Sequence, residues 1–282
     1  MNGAATVGFL LLMALGVILV EVYGRGPVSR KRLDRFARRQ QLTVTVDNGN
    51  QVIRYLATTR RWRVAGLVGG IAASQIGAPD GTIVNFNFVA IFAGWFLGAL
   101  VAEARVDHLA HRPVRSASLQ PRRPERYVGR FTWALVPATA VIAVVTGAIT
   151  AVAGGVGWAE PNWAWVGWWL GLAVAVAVTV RLIQLAVLRR AQPVAAPDVI
   201  EADDAIRSRS LHVLSGGGAA LVLFLTLSLL ASLRPIAVGA QQAVSALIFV
   251  GVFAVALLGW LVATSAWPSG RPGTGLTDPA RA

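Results

Sequence analysis

The sequence predicts an all-α, polytopic helical membrane protein with seven transmembrane spans, its N-terminus outside and its C-terminus inside. Three observations carry that prediction. Of 282 residues, 55% are hydrophobic and only 14% charged, where a soluble domain has about a quarter charged. The missing charge is concentrated in long uncharged runs, the pattern of membrane spans. And 25 of the 26 Lys and Arg residues fall in segments that an alternating path places on one side, a pronounced form of the positive-inside bias.

The first span is 4–23, AATVGFLLLMALGVILVEVY. At 1.5 Å per residue it covers about 30 Å of hydrocarbon. No basic residue precedes it and no small-residue cleavage site follows, so it is expected to be a span and not a cleavable signal peptide. Positive charge begins at Arg25, which sets the N-terminus outside. Glu21, at the inner end, reads as a snorkelling carboxylate.

The basic loop 24–63 carries 11 of the 26 basic residues against two acids, Asp34 and Asp47. Within it, Ser29 to Gln40 reads as a short helix capped by Ser29. Leu33, Phe36 and Ala37 share one face, which is expected to lie on the anionic inner leaflet. Leu42 to Val46 alternates like a strand, and Asp47-Asn-Gly-Asn50 is a turn signal. Gln51 to Leu56 either returns as a second strand or starts a helix into the next span. The helix is preferred, because a lone two-stranded ribbon is marginal in water.

The second span, 64–78, is short, and Gly66, Gly69 and Gly70 suggest close packing there. Spans three to seven are assigned to 83–102, 131–153, 163–180, 215–233 and 243–264. Pro137 is a candidate kink in the fourth. Trp158, Trp163, Trp165, Trp168 and Trp169 crowd the outer end of the fifth as an aromatic belt. The tail 266–282 reads as disordered and cytoplasmic. Residues 1–265 form a single membrane domain.

Gly94-Trp-Phe-Leu-Gly98 and Gly167-Trp-Trp-Leu-Gly171 occupy comparable places in the third and fifth spans. Both are read as packing faces, where absent side chains let backbones approach. Each closes a hairpin preceded by Arg and Trp anchors, Arg61-Trp62 and Arg130 with Trp133, which hints at tandem hairpins.

Chemistry-bearing signals are sparse. Nucleotide-binding, HExxH and GxSxG patterns are absent, and there is no Cys, which removes disulfides and thiolate chemistry. Asp107 and His111 share a helical face beside His108, but His212 is the only other His, too few ligands for a metal centre. Glu201, Asp203, Asp204 and Arg207 form a candidate partner-docking face on what otherwise reads as a surface helix begun by Asp198. Asp203 and Arg207 stand at i, i+4 there. Gln75, Asp80, Asn85 and Asn87, with Ser74, form a candidate outer polar site. No ionisable residue falls near the middle of a span, which argues against proton coupling.

The net charge of +13 lies in loops flanking apolar runs, so it reads as a topology signal, with no nucleic-acid partner expected. Partners expected are the bilayer, its anionic inner-leaflet lipids and another membrane protein. No cofactor is expected. The functional expectation is a non-enzymatic scaffold or partner subunit, with a transport or channel component as the alternative.

Three stretches also resemble uncharacterised actinobacterial multi-pass membrane proteins: Tyr55-Leu-Ala-Thr-Thr-Arg-Arg-Trp-Arg63, Gly94-Trp-Phe-Leu-Gly-Ala-Leu-Val-Ala-Glu103 and Glu201-Ala-Asp-Asp-Ala-Ile-Arg-Ser-Arg-Ser210. The resemblance implies the cell membrane of a Gram-positive, GC-rich bacterium and carries no activity or site with it.

Overall fold

The computed structural model describes residues 26–75, 87–109, 123–190 and 196–265, with residues 14, 16–18, 20–22 and 24 and the pairs 115–116 and 192–193. Its helices with defined bounds are α1 (Arg30–Gln40), α2 (Val46–Ser74), α3 (Phe88–Leu109), α4 (Arg130–Gly155), α5 (Trp163–Arg189), α6 (Pro197–Ala231) and α7 (Val238–Thr264). A one-turn 3-10 helix spans Pro124–Arg126.

Five of these, α3 to α7, are long and apolar enough to cross a membrane. The chain is therefore a multi-span helical membrane protein. Five among the described residues is fewer than the seven expected. Most of the first expected span, 4–23, lies outside the described residues, although those described between 14 and 24 are helical. Of the second, 64–78, residues 64–74 are the end of α2, whose preceding turn carries Arg60, Arg61 and Arg63, and 76–78 lie outside the described residues. No 18-residue stretch of that helix is apolar enough to qualify.

At 42–56 the helical reading holds and the turn signal does not. Helix α2 starts at Val46, and Asp47 to Asn50 form its first turn. The reason is a capping box. The Asn48 backbone N–H donates to Thr45 Oγ1 at 3.3 Å, and the Thr45 N–H donates to Asn48 Oδ1 at 2.9 Å. Two orphan donors are satisfied and Asp47 sits favourably at the dipole's positive end. Before it, Gln41 takes a left-handed conformation (φ 49°) that ends α1 and turns Leu42 back into the core. Ser29 sits at the N-cap of α1, but its side chain makes no capping bond.

Helix α6 is the axis of the molecule. It packs against α2, α3, α4, α5 and α7. Of its apolar window 72% is buried, against 17–33% for the other four candidate spans. Three consecutive glycines make this possible. Successive residues on a helix point about 100° apart, so Gly216, Gly217 and Gly218 each meet a different neighbour. A methyl on Gly216 would lie 2.7 Å from the Ala263 nitrogen of α7. One on Gly217 would lie 3.2 Å from Phe96 of α3, and one on Gly218 2.6 Å from Val180 of α5.

The outward sides of α4, α5 and α7 expose Val141, Ile149, Val178, Leu182, Phe249 and Leu257, among others. Apolar surface running the length of several helices is a lipid-facing surface. Pro137 lies within α4, which continues past it.

Connections sort to the two ends as an alternating path requires. At one end Arg115–Ser116 pairs antiparallel with Gln192–Pro193, joining the loops after α3 and α5. Thr45 Oγ1 also donates to Asp198 there. At the other end Ala159 bridges Pro235, and the Glu160 N–H donates to the Arg234 carbonyl.

Candidate functional site: the polar half of the central helix

The N-terminal half of α6 buries polar and charged side chains on nearly every face. Asp203, Asp204, Arg207, Ser208, Ser210, His212 and Ser215 are all under 6% exposed. Such groups cost several kcal/mol each unless paired (about 3–5 for a broken buried ion pair), so their partners define what this region does.

On one side Asp203 is held twice. Arg207 Nη2 lies 2.9 Å from Oδ2 and Arg190 Nη2 2.6 Å from Oδ1. Arg207, fully buried, also donates to the Leu188 carbonyl at 3.4 Å and lies 5.6 Å over the Tyr127 ring. Neighbouring Asp204 accepts from Tyr127 Oη at 3.3 Å and faces Arg126 at 3.5 Å. Ser208 donates to the Tyr127 carbonyl at 2.7 Å. Burial, then the Asp204 charge, pushes the Tyr127 phenol above its ordinary pKa.

The docking face expected at Glu201, Asp203, Asp204 and Arg207 is therefore largely internal: Asp203, Asp204 and Arg207 are buried and Glu201 is half-buried. The sequence pattern is real, since Asp203 and Arg207 do pair at i, i+4. Its surroundings differ because α6 runs down the middle of the bundle. Asp198 is not the cap of α6: Ala196 is, with Pro197 at the first helical position, and Asp198 accepts from the Val199 N–H at 2.9 Å.

On the other side lies a second cluster. Glu103, 1% exposed at the end of α3, accepts from Tyr55 Oη of α2 at 3.0 Å and from Ser210 Oγ of α6 at 2.6 Å. One carboxylate thus ties three helices. Burial is the main cause raising the Tyr55 pKa well above its ordinary value, with the Glu103 charge second. The Tyr55 ring also packs on Phe36 of α1, centroids 6.0 Å apart. This anchors α1 to the bundle and corrects the expectation that its apolar face enters lipid. Phe36 is buried against protein, while Arg30, Lys31, Arg32, Arg35, Arg38 and Arg39 stay exposed.

Deeper along α6, Gln184 Nε2 of α5 donates to Ser215 Oγ at 2.9 Å, and Arg181 donates to Gln184 Oε1 at 3.2 Å. His212, buried, places Nδ1 2.8 Å from the Ser208 carbonyl, an N–H donation along its own helix.

Arg–Trp pairs ring the same end. Arg105 lies 5.0 Å over Trp62, Arg63 5.4 Å over Trp95, and Arg181 3.8 Å over Trp133. In both hairpins an Arg toward the end of the second helix covers a Trp of the first, an arrangement worth about 0.5–2 kcal/mol per pair. Of the anchors read from sequence, Arg61-Trp62 and Arg130 with Trp133, the two tryptophans are each covered by an arginine of the following helix, Arg105 and Arg181.

The two GxxxG motifs part company. Gly94 and Gly98 cross Gly66 and Gly70 of α2, where a methyl on Gly94 would lie 2.6 Å from the Gly70 Cα. Around Gly167 and Gly171 nothing lies within 4 Å of the corresponding position.

Of the expected outer site, Asp80 and Asn85 lie outside the described residues. Gln75 donates to Ser74 Oγ at 2.8 Å, and Asn87 Oδ1 accepts from the Ala90 N–H at 3.2 Å. These are helix-end roles. The side chains of Asp107 and His108, and all of His111, lie outside the described residues. Among those described, no group of three or more His, Asp and Glu side chains is placed to hold a metal.

Sequence reasoning missed Glu103, Tyr55 and Ser210. A signal existed for Glu103, which continues the buried stripe Phe96, Ala99, Leu100 at helical spacing.

Helix composition and lipid-facing surface together define a multi-pass integral membrane protein. Against family models, curated proteins and solved structures, the chain matches none.

Proposed function

We propose that the chain is a seven-span protein of the bacterial cell membrane, N-terminus outside and C-terminus inside, serving as a non-enzymatic scaffold or partner subunit. The two further spans would be 4–23 and the apolar end of α2. The orientation rests on the basic residues collected at the end that holds α1 and Arg126.

One observation favours the scaffold reading above others. The buried polar groups of α6 are spent on bracing the bundle, and the bilayer-depth stretch beyond them, Ala219 to Phe224, is packed with apolar side chains. A partner would not use the Glu201–Arg207 face. It would use α7, which packs mainly on α6 and leaves Leu247, Phe249, Val250, Leu257 and Leu261 outward.

Affinity purification from native membranes in mild detergent tests this. A stoichiometric membrane partner, lost on L257W, is expected. A lone monodisperse chain overturns the reading. Added single cysteines at Arg39 and Arg234 should label from opposite faces of the membrane.

The alternative, a transport component for a small solute or lipid that is not proton-coupled, is favoured by one feature. A groove of about 380 Å³ opens between α3 and α7, lined by Asn87, Phe88, Val89, Ser245, Ile248, Phe249, Val252 and Phe253. Its apolar walls suit an acyl chain better than an ion.

A further inference from the structure

Helices α3 and α7 both pack on α6, and they part from each other toward the end of the bundle away from α1. Where they are close, Gly259 of α7 admits Phe96 of α3: a methyl on Gly259 would lie 2.7 Å from the Phe96 ring. Toward the other end larger side chains intervene, and the groove of about 380 Å³ opens there. Such a volume suits a small molecule or part of a larger one, whose sites run to about 300–1,000 Å³.

The wall of the groove is a run of aromatic rings in mutual contact. Phe249 meets Phe253 at 5.4 Å between centroids, Phe253 meets Phe88 at 5.5 Å, and Phe92 lies 6.3 Å from Phe253. Tilted and edge-on pairs fix one another's orientation. Phe88, Phe249 and Phe253 nonetheless stay 42–64% exposed.

Two polar groups stand at the mouth. Asn87 spends Oδ1 on the Ala90 N–H, and its side-chain NH2 has no acceptor among the described residues. Ser245 Oγ makes no hydrogen bond among them either. Other span hydroxyls behave differently: Thr146, Thr150, Thr226 and Ser228 each donate to the carbonyl four residues back along their own helix. A hydroxyl left unpaired in hydrocarbon is costly.

Depth shows what suits those donors. The apolar stretch Phe88–Arg105 of α3 covers about 27 Å at 1.5 Å per residue, close to the hydrocarbon thickness. Asn87 therefore stands at the boundary. From Ser245 to Phe253 the groove runs about 12 Å inward. Donors lie at its shallow end and aromatic rings at its deep end, the polarity profile of an ester carbonyl above an acyl chain.

We propose that this groove binds one acyl chain of a glycerolipid, whose ester carbonyl accepts from Ser245 Oγ and the Asn87 amide. The site rests on the membrane reading above and requires no transport: a lipid held in place satisfies it.

The test uses full-length protein, delipidated in detergent and titrated with phosphatidylglycerol carrying a diazirine in one acyl chain. Irradiation and peptide mass spectrometry locate the adducts. They should fall on 87–92 and 245–253 at least about five times as often as on the exposed face of α4, because only the groove encloses the chain. S245W, plugging the mouth from an exposed position, should raise the half-saturating concentration by roughly tenfold. I149W, the same kind of change on α4, should raise it by less than about twofold. S245A should raise it about threefold, the worth of one neutral hydrogen bond, and leave an ether-linked probe lacking the carbonyl unchanged. If S245W aggregates, the S245A comparison decides alone.

Adducts spread evenly over α4, α5 and α7 mean surface lipid only and overturn the site. An equal response of ester and ether probes to S245A overturns the hydrogen bond that selects a glycerolipid. Displacement by a single-chain fatty acid as readily as by unlabelled phosphatidylglycerol assigns the groove to that ligand and overturns the glycerolipid. The assay needs no partner protein, so the scaffold reading and the lipid site fail separately.

Discussion

Two glycine motifs of identical spacing should respond oppositely to the same substitution. In G94A the new methyl meets the Gly70 Cα at 2.6 Å and its nitrogen at 2.7 Å. Both are backbone atoms of α2, which no rotamer change can move. Overpacking of this kind costs about 1–3 kcal/mol, and backbone contact belongs at the upper end. Replacing a helical Gly by Ala returns about 1 kcal/mol of helix propensity. The net expectation for G94A is a loss of about 1–2 kcal/mol. In G171A the methyl meets nothing within 4 Å, so only the propensity gain remains, about 0–1 kcal/mol. At about 2–4 °C per kcal/mol for a chain of this size, the two variants should melt on the order of 5 °C apart, G94A below wild type and G171A at or above it. Fluorescence-detected size-exclusion after heating in detergent reads this directly. Equal shifts, or G171A the less stable, would refute the assignment of α3 to α2 through its glycines.

Two further outcomes follow from the buried polar groups. Tyr55 and Tyr127 both have phenol pKa values raised in the folded protein. Below the unfolded value near 10 both states are protonated and stability is unaffected. As pH climbs past it the unfolded chain ionises first, and stability falls. Absorbance at 295 nm should show these two phenols silent past pH 11 or so and then ionising together with loss of fold; early reversible titration of both speaks against their burial. D203N should destabilise by about 3–5 kcal/mol, because Arg207 stays buried without its counter-charge, whereas E201Q, on a half-buried residue of the same stretch, should cost under about 1 kcal/mol. Chemical denaturation of the pair distinguishes them, and equal effects would mean Asp203 is not interior.

Helix existence and the location of the apolar runs were legible, because uncharged runs about 20 residues long leave few alternatives. The capping box at Thr45 and Asn48 was not read from the sequence, because Asn-Gly at 48–49 spells a turn and local pattern alone does not choose. The interior of α6 was the main loss. An Asp and an Arg four apart look the same on a solvated helix and a buried one. What separates them is the complement: Tyr127 lies 77 residues from Asp204 and Glu103 lies 107 residues from Ser210. No window along the chain contains both halves. The two GxxxG motifs failed to declare themselves for the same reason, since which face a neighbour takes is decided by the whole bundle.

The central position of α6 has a consequence for how the protein is made. The ribosome delivers α2 to α5 into the membrane before the helix around which they gather exists. At about 5–20 residues per second, the 107 residues between Glu103 and Ser210 take on the order of 5–20 s to synthesise. Through that interval the acid at the end of α3 has Tyr55 but not its serine, and Phe96 and Val180 have no glycine collar to close on. Until then the chain holds two helix pairs, α2 with α3 and α4 with α5, and the arrival of residues 203 to 218 supplies the helix that joins them. Chains that terminate before Pro197 should accordingly be the form that membrane quality control encounters and removes.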